Sequence, residues 1–410
     1  MWAMTMETNR GCPHMCTYCD WGGMTYQKIK KFDLERVKQD IEWAGDHNVG
    51  FIFNADANFG ILPRDLEIAS YVAEIKTKYG FPHALSVQNT KNATERAYQV
   101  QKILFDAGLN KGVDIALQST DPVTLQSIKR SNISSETYQE LQRRFARDGV
   151  ETYTDIILGL PGETYDTFAE GVSTVVGNGQ HNRIQFSNLS VLPNAEMGDP
   201  EYQQRYGMVT VESTSVNMHG SVAASKHEIY ETQLLVIATD AMPKEAWVKT
   251  RVLAWTAALL HFDKTMQIPL ILLNKLCSVT YRELFELFTR VDPRSSPILH
   301  EVHSFFEEHA QTIQEGGLEY LGSEKWLNIW WPADEFILIK LCTEDKLGEF
   351  YAEAEGVLLE LLRERGLSLS DGLLHDAVRL NQSLIKLPFQ TEDLDIELSH
   401  NVWEFYRNAL

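Results

Sequence analysis

The sequence predicts an α/β protein: six β/α units over residues 1–198, a linker or lid over 199–225, and a mainly α-helical C-terminal domain over 226–410. Three observations predict it. Short β-rich runs alternate with segments of helical periodicity from residue 5 to residue 192, which is the pattern of parallel β/α units. After residue 198 that alternation stops and long amphipathic stretches take over. The chain has 410 residues, enough for two or three domains of ordinary size with well-buried cores.

The β-rich runs fall at residues 4–8, 50–54, 84–88, 112–118, 151–158 and 183–191. Helical periodicity separates them at 34–47, 63–79, 94–107, 134–148 and 164–176. Asp33 and Asn92 stand where an N-cap would accept a free backbone N–H. Gly108 and Gly149 stand just past their helices, where a left-handed residue is needed. Six parallel strands with right-handed crossovers can close into a partial barrel or lie open as a doubly wound sheet, and periodicity does not choose between them. Farther on, helices are expected at 226–240, 244–262, 281–289, 299–314 and 347–365, and the Ser, Thr and Gly of 211–225 mark the linker or lid.

Composition narrows the function. With 44% hydrophobic and 23% charged residues the chain is that of a globular protein. A formal charge of -20 opposes broad attachment to phosphate backbones, so general nucleic-acid binding is not expected. There is no apolar run of about 18 residues, the least that spans a bilayer. Residues 1–9 lack a basic region followed by an apolar core, so no secretory signal is legible and a cytoplasmic protein is expected. Five cysteines, three of them within eight residues, are not how a secreted disulfide framework is built.

Those three, Cys12, Cys16 and Cys19, follow the first strand with the spacing C-x3-C-x2-C. Three thiolates on one short loop can occupy three irons of a cubane and leave the fourth iron without a protein ligand. A structural zinc site would want a fourth protein ligand, and only His14 is near in sequence. An electron-transfer cluster normally has four cysteines, whereas Cys277 and Cys342 lie far downstream beside leucines, as small buried hydrophobes do.

The cysteine loop, with the aromatic Tyr18 before its last Cys, resembles the motif of the radical S-adenosylmethionine superfamily, and further positions agree in order over the first 195 residues. The resemblance implies a partial (β/α)6 radical SAM barrel and a 4Fe-4S cluster on Cys12, Cys16 and Cys19. It also implies a bound S-adenosylmethionine chelating the open iron, whose reductive cleavage gives a 5'-deoxyadenosyl radical. Where the family has Gly-Gly-Glu after the second strand, this chain has Asn54-Ala55-Asp56-Ala57-Asn58-Phe59-Gly60, and the resemblance gives Asp56 to the methionine ammonium. A turn-capping carboxylate is the plain alternative. Gln118 and Ser119 resemble the ribose-binding strand end of the coproporphyrinogen dehydrogenase branch, the alternative being a helix cap formed by Ser119 and Asp121. The stretch Asp155-Ile156-Ile157-Leu158-Gly159-Leu160-Pro161-Gly162-Glu163-Thr164 is similar to the fifth-strand motif that lies against adenine, at Gly159 and Pro161, and blandly it is a β-to-α turn. Pro193-Asn194-Ala195 resembles the turn after the sixth strand.

Cys19-Asp20-Trp21-Gly22 and residues 56–60 are most similar to the branch that carries a cobalamin-binding domain ahead of the radical domain. Only 11 residues precede Cys12, so no cobalamin domain is expected within this chain: either it does without cobalamin, or it is one fragment of a larger system whose partner could supply it. The resemblance also implies an electron donor such as flavodoxin or ferredoxin. Three functions follow: a radical enzyme acting on a small molecule or peptide, a cobalamin-associated methyltransferase, or a non-catalytic cluster and nucleotide binder. In the C-terminal half Trp326, Trp330, Trp331, Pro332 and Phe336 read as packing before they read as a substrate wall. His300, His303 and His309 read as a solvated helix face, the zincin spacing being absent.

Overall fold

The computed structural model describes residues 2–21, 28–90, 92, 95–110, 112–222, 230–387 and 390–409. They form two compact units, one of residues 1–162, 178–187 and 191–207, the other of 163–177, 188–190 and 208–410.

In the first unit β1 (Trp2–Met6), β2 (Val49–Phe59) and β3 (Ala84–Asn89) make a parallel sheet with β2 in the middle. The register sets Thr5 beside Phe53 and Phe53 beside Ser86. β4 (Val113–Asp114), β5 (Thr152–Leu158) and β6 (Arg183–Asn188) make a second three-stranded sheet with β5 central and β4 parallel to it. Side chains of β2 and β5 alternate between buried and half-buried, as a pleated strand with one face under helices must. The covering helices are α1 (Leu34–Asp46), α2 (Asp65–Tyr79) and α3 (Glu95–Asp106) on the first sheet's core. Ile52 and Leu85 meet Val37 and Ile41 of α1, Val72 of α2 and Leu104 of α3 there, all fully or nearly fully buried. Each such side chain contributes about 1.5–3 kcal/mol.

The local signals act as read. Asp33 caps α1 by accepting from the Arg36 N–H at 3.0 Å, and Gly108 and Gly149 sit at φ +63° and +71°. Gly60 is needed twice over: its φ is +92°, and a Cβ would lie 3.2 Å from the Ala97 Cα. Asn92 is described but residues 93 and 94 are not, so the expected cap of α3 lies partly outside the described residues, as does Gly22.

Two strand expectations need correction. The fourth strand is a ladder of two residues, because Gln118 adopts φ +67° and turns the backbone out of the pleat, leaving one isolated bridge to Ile156. The sixth ends at Asn188, and Ser190–Val191 is a separate short strand. The remaining helices are α4 (Pro122–Ser127), α5 (Ser135–Arg147), α6 (Tyr165–Gly177) and α7 (Pro200–Arg205).

The second unit is not free of strands. Residues 226–240 were expected to be helical, but β7 (Val209–Thr214) and β8 (Thr232–Ala238) pair antiparallel there, and Val236 N donates to Leu189 O at 2.9 Å. The run Leu234-Leu235-Val236-Ile237-Ala238 is too short and too uniformly apolar for periodicity to separate strand from helix, and its pairing partner decides. Residues 226–229 lie outside the description. Part of the expected linker is thus α7 and β7. A hairpin of β9 (Leu321–Ser323) and β10 (Ile329–Trp331) is a further addition.

Helices supply the rest: α8 (Lys244–Ala257) with a π-helical turn at Ala258–Phe262, α9 (Gln267–Cys277), α10 (Tyr281–Phe288), α11 (Pro297–Gln314), α12 (Ala333–Thr343), α13 (Leu347–Glu364), α14 (Leu373–Leu384) and α15 (Val402–Ala409). α8 packs on α11, burying Trp247, Trp255 and Phe306. Trp326 meets Phe336 at 4.8 Å between ring centroids, and Phe336 stacks on Phe305 at 5.8 Å, which is the packing arrangement. His300 and His303 are 6.5 Å apart, and among the described residues no three His, Cys, Asp or Glu side chains are grouped to hold a single metal ion. No helix among the described residues is long and apolar enough to cross a membrane.

α10 opens with a reciprocal cap. Thr280 Oγ1 accepts from Glu283 N at 3.2 Å, and the Glu283 carboxylate accepts from Thr280 N at 3.0 Å. Thr280→Ala is expected to cost the protein about 1 kcal/mol. A urea melt should show a lower midpoint with unchanged slope.

Candidate functional site

Past β1 the chain enters the cysteine loop through Thr8 and Asn9, and a single carboxylate fixes that entry. Asp56, on β2, is fully buried. One of its oxygens accepts from Thr8 N at 2.7 Å and Asn9 N at 3.0 Å, and the other from Asn9 Nδ2 at 2.8 Å and from the Thr8 hydroxyl. Four donors saturate a carboxylate. Burial pushes its carboxyl above the ordinary value while the donors pull it back. In this structure its acceptor positions are taken up by Thr8 and Asn9, and it pins the loop's entry to β2.

Two residues along β2, Asn58 Nδ2 donates to Cys12 Sγ at 3.0 Å. Gly11, at φ +109°, makes the turn that delivers Cys12 to it. Cys12 and Cys16 are buried, 2% and 4% exposed, while Cys19 is half-buried. Cys19 N donates to Cys16 O at 3.1 Å, closing the second half of the loop. Thr17 anchors its back: its N–H donates to Ile128 O at 3.0 Å, its carbonyl accepts from Met197 N at 2.9 Å, and its hydroxyl is 3.0 Å from the Tyr202 hydroxyl. None of the five cysteines is in a disulfide. Three thiols on one anchored loop, one of them already receiving an amide N–H, fit the donor set of a three-cysteine iron–sulfur cluster, whose sulfurs accept such hydrogen bonds.

The sequence-predicted nucleotide residues lie at strand ends. Gln118 is held in its left-handed conformation from behind: Asn132 Nδ2 donates to Leu117 O at 2.9 Å and to Ser119 O at 2.8 Å, and Arg130 donates to Ala116 O. A non-glycine residue persists there only when its surroundings over-determine it. Ser119 is buried and its Oγ accepts from Asp121 N at 3.2 Å, while Asp121 caps α4 through Thr124 N at 2.8 Å. Asp121 is thus the helix cap, and Ser119 closes the turn that leads into it. At the end of β5, Gly159 has φ +91° and Gly162 φ +88°, and a Cβ on Gly162 would lie 3.2 Å from Ser127 Oγ. Pro161 is buried between them.

A polar line that sequence reasoning missed runs through the first unit. Tyr18 bonds Cys16 through its hydroxyl and accepts from Arg130 Nη1 at 2.9 Å. Arg130 is 5% exposed and faces Asp114 of β4 and Asp155 of β5, which are hydrogen-bonded to each other. Burial, then the Asp155 charge, pushes Asp114 up to about 8, and burial raises Asp155 as well. Two adjacent carboxyls in such a place share one proton near neutral pH. The signal available in the sequence was period two: with one side of each strand under helices, Asp114 and Asp155 fall on the other side.

Residues 6–174 match the Radical SAM superfamily. The chain is 32% identical to the cobalamin-dependent radical SAM methyltransferase TokK of Streptomyces tokunonensis, over 98% of this chain and 60% of that protein. It is 40% identical to the 2-(S-pantetheinyl)-carbapenam-3-carboxylate methyltransferase of Streptantibioticus cattleyicolor, over 59% of this chain and 35% of that one. The chain thus spans under two thirds of the length of either relative. The solved structure of the methyltransferase TsrM from Kitasatospora setae, with tryptophan and a SAM analogue bound, aligns with 63% of this chain and 53% of that one, at 16% identity and a TM-score of 0.48, a likeness too slight to bear on function.

Proposed function

We propose that the chain is a radical S-adenosylmethionine methyltransferase of the Radical SAM superfamily, which residues 6–174 match, with Cys12, Cys16 and Cys19 as ligands of a 4Fe-4S cluster. The observation that carries the methyltransferase reading is the 32% identity to TokK running through both units, over 98% of the chain, and not only through residues 6–174. The six strands are then the partial barrel of that family.

When bound, the cluster supplies the electron that breaks a sulfur–carbon bond of S-adenosylmethionine. The chain's own residues do the holding. Asn58 donates to Cys12 and Tyr18 to Cys16, Asp56 and Thr17 fix the loop that presents all three thiolates, and burial of Cys12 and Cys16 keeps water away from them. Gln118 offers an amide, and Ser119 a hydroxyl, to the ribose. The turn of Gly159 and Pro161 offers close backbone approach to adenine. Cobalamin enters from the named relative alone, and no residue of either unit is assigned to it. Free thiols suit a reducing, cytoplasmic setting with a small reductant protein as electron donor.

The substrate to assay first is a carbapenam carboxylate, because the second relative acts on one. Protein reconstituted anaerobically with iron and sulfide, then reduced with S-adenosylmethionine, cobalamin and that substrate, is expected to release 5'-deoxyadenosine and S-adenosylhomocysteine and to yield a methylated product. Deoxyadenosine without cobalamin-dependent S-adenosylhomocysteine would make it a radical enzyme of another outcome. Neither product with the cluster intact would make it a binding protein.

A further inference from the structure

We propose that Asp114 is a positioning residue whose shared proton with Asp155 sets, through Arg130 and Tyr18, the strength of the hydrogen bond that Tyr18 gives Cys16, and thereby the reduction potential of the cluster. The inference rests on the cluster assignment above and concerns side chains to which that assignment gives no part.

The geometry links four side chains to Cys16. Asp114 and Asp155 lie on neighbouring parallel strands, hydrogen-bonded carboxyl to carboxyl, with the Arg130 guanidinium facing both. Arg130 cannot turn away: it donates to Ala116 O and, at 2.7 Å, to Asn132 Oδ1, while Nη1 donates to the Tyr18 hydroxyl. That hydroxyl has one proton, and with its lone pair committed to Arg130 the proton goes to Cys16 Sγ. A hydroxyl that accepts from a cation becomes a better donor, so the thiolate gains a stronger bond than an isolated tyrosine would give it. Hydrogen bonds to the sulfurs raise a cluster's potential, because they stabilise the more negative, reduced form.

One proton sets the state of the line. With the proton in place the pair carries one negative charge against Arg130, and the guanidinium retains enough charge to polarise Tyr18. When Asp114 loses it to solvent, a second negative charge faces Arg130 and draws its field away from the phenol. The groups facing the pair from the surrounding elements are Arg130 from the turn after α4, Arg183 of β6 toward Asp155, and the neutral phenols of Tyr153 on β5 and Tyr138 on α5. Burial pushes both phenols up to about 12, whereas Asp114 is raised only to about 8.

The sign is fixed by this arrangement. As the pH rises through about 8, the added negative charge and the weakened Tyr18 bond both disfavour the reduced cluster, so its midpoint potential falls. The test is an anaerobic redox titration of the reconstituted full chain, followed by the EPR signal of the reduced cluster, from about pH 6.5 to about pH 9 around that value. Wild-type protein is expected to show the downward step. Asp114→Asn, which keeps a donor for Asp155 but cannot ionise, is expected to remove the step while keeping the low-pH potential. Tyr18→Phe cuts the line at its other end, and is expected to lower the potential at low pH and flatten the step. Should Asp114→Asn fail to fold, Tyr18→Phe alone decides. A potential unchanged in Tyr18→Phe, or a step that survives Asp114→Asn, overturns the inference while the cluster assignment stands. Failure of the wild-type chain to assemble a cluster overturns the assignment, and this inference with it.

Discussion

Cys16→Ala is expected to abolish the cluster and all turnover while leaving the apo-protein folded. Cys16 is 4% exposed and lies in the middle of the triad, its carbonyl accepting from Cys19 N at 3.1 Å. Removing its sulfur leaves two thiolates for an assembly that needs three. Alanine fits where a thiol was, so the apo fold is expected to lose about 1 kcal/mol or less. Iron and sulfide analysis should fall from about four of each per chain toward none. Deoxyadenosine release should fall below detection. Retained iron with normal turnover would remove Cys16 from the site.

Asp56→Ala is expected to be the most destabilising single change in the first unit, at about 3–5 kcal/mol. The side chain is fully buried, and its removal strands the backbone N–H groups of Thr8 and Asn9, the Asn9 amide and the Thr8 hydroxyl in the interior at once. Arg64, which donates to the Thr8 carbonyl, then holds only one side of the loop entry. Urea denaturation of the apo-protein measures the loss directly. A second readout separates anchoring from plain destabilisation: at low temperature, where the variant is still folded, its affinity for reconstituted cluster should be weaker than that of Thr280→Ala, which is damaged far from the loop. A loss under about 1 kcal/mol would return Asp56 to the role of an accessible carboxylate.

The alternation of β/α units was legible because one face of each strand is buried under helices, so apolar residues recur with period two and the connecting helices with period 3.6. The thiol triad was legible because all its members sit on one loop. What escaped depended on partners distant in sequence. Asp56 and Asn58 stand on one strand and point to different uses, one taken up by Thr8 and Asn9 and the other by Cys12, and a sequence does not record which residue 46 to 48 positions away will be the hydrogen-bond partner. Arg130, Asn132 and Tyr202 likewise act across turns and helices. β8 was read as a helix because five apolar residues in succession carry no period, and only the pairing with β7 makes it a strand. The fourth strand was overextended because nothing in the local sequence marks Gln118 as left-handed, a conformation held by Asn132 from fourteen residues downstream.

Mössbauer spectra of protein reconstituted anaerobically with iron-57, before and after S-adenosylmethionine is added, test the assignment of Cys12, Cys16 and Cys19 most directly. The predicted spectrum is that of a 4Fe-4S cluster in which one iron of the four changes its parameters when the nucleotide binds. A mononuclear tetrahedral iron site, or a cluster whose four irons all ignore S-adenosylmethionine, would contradict it.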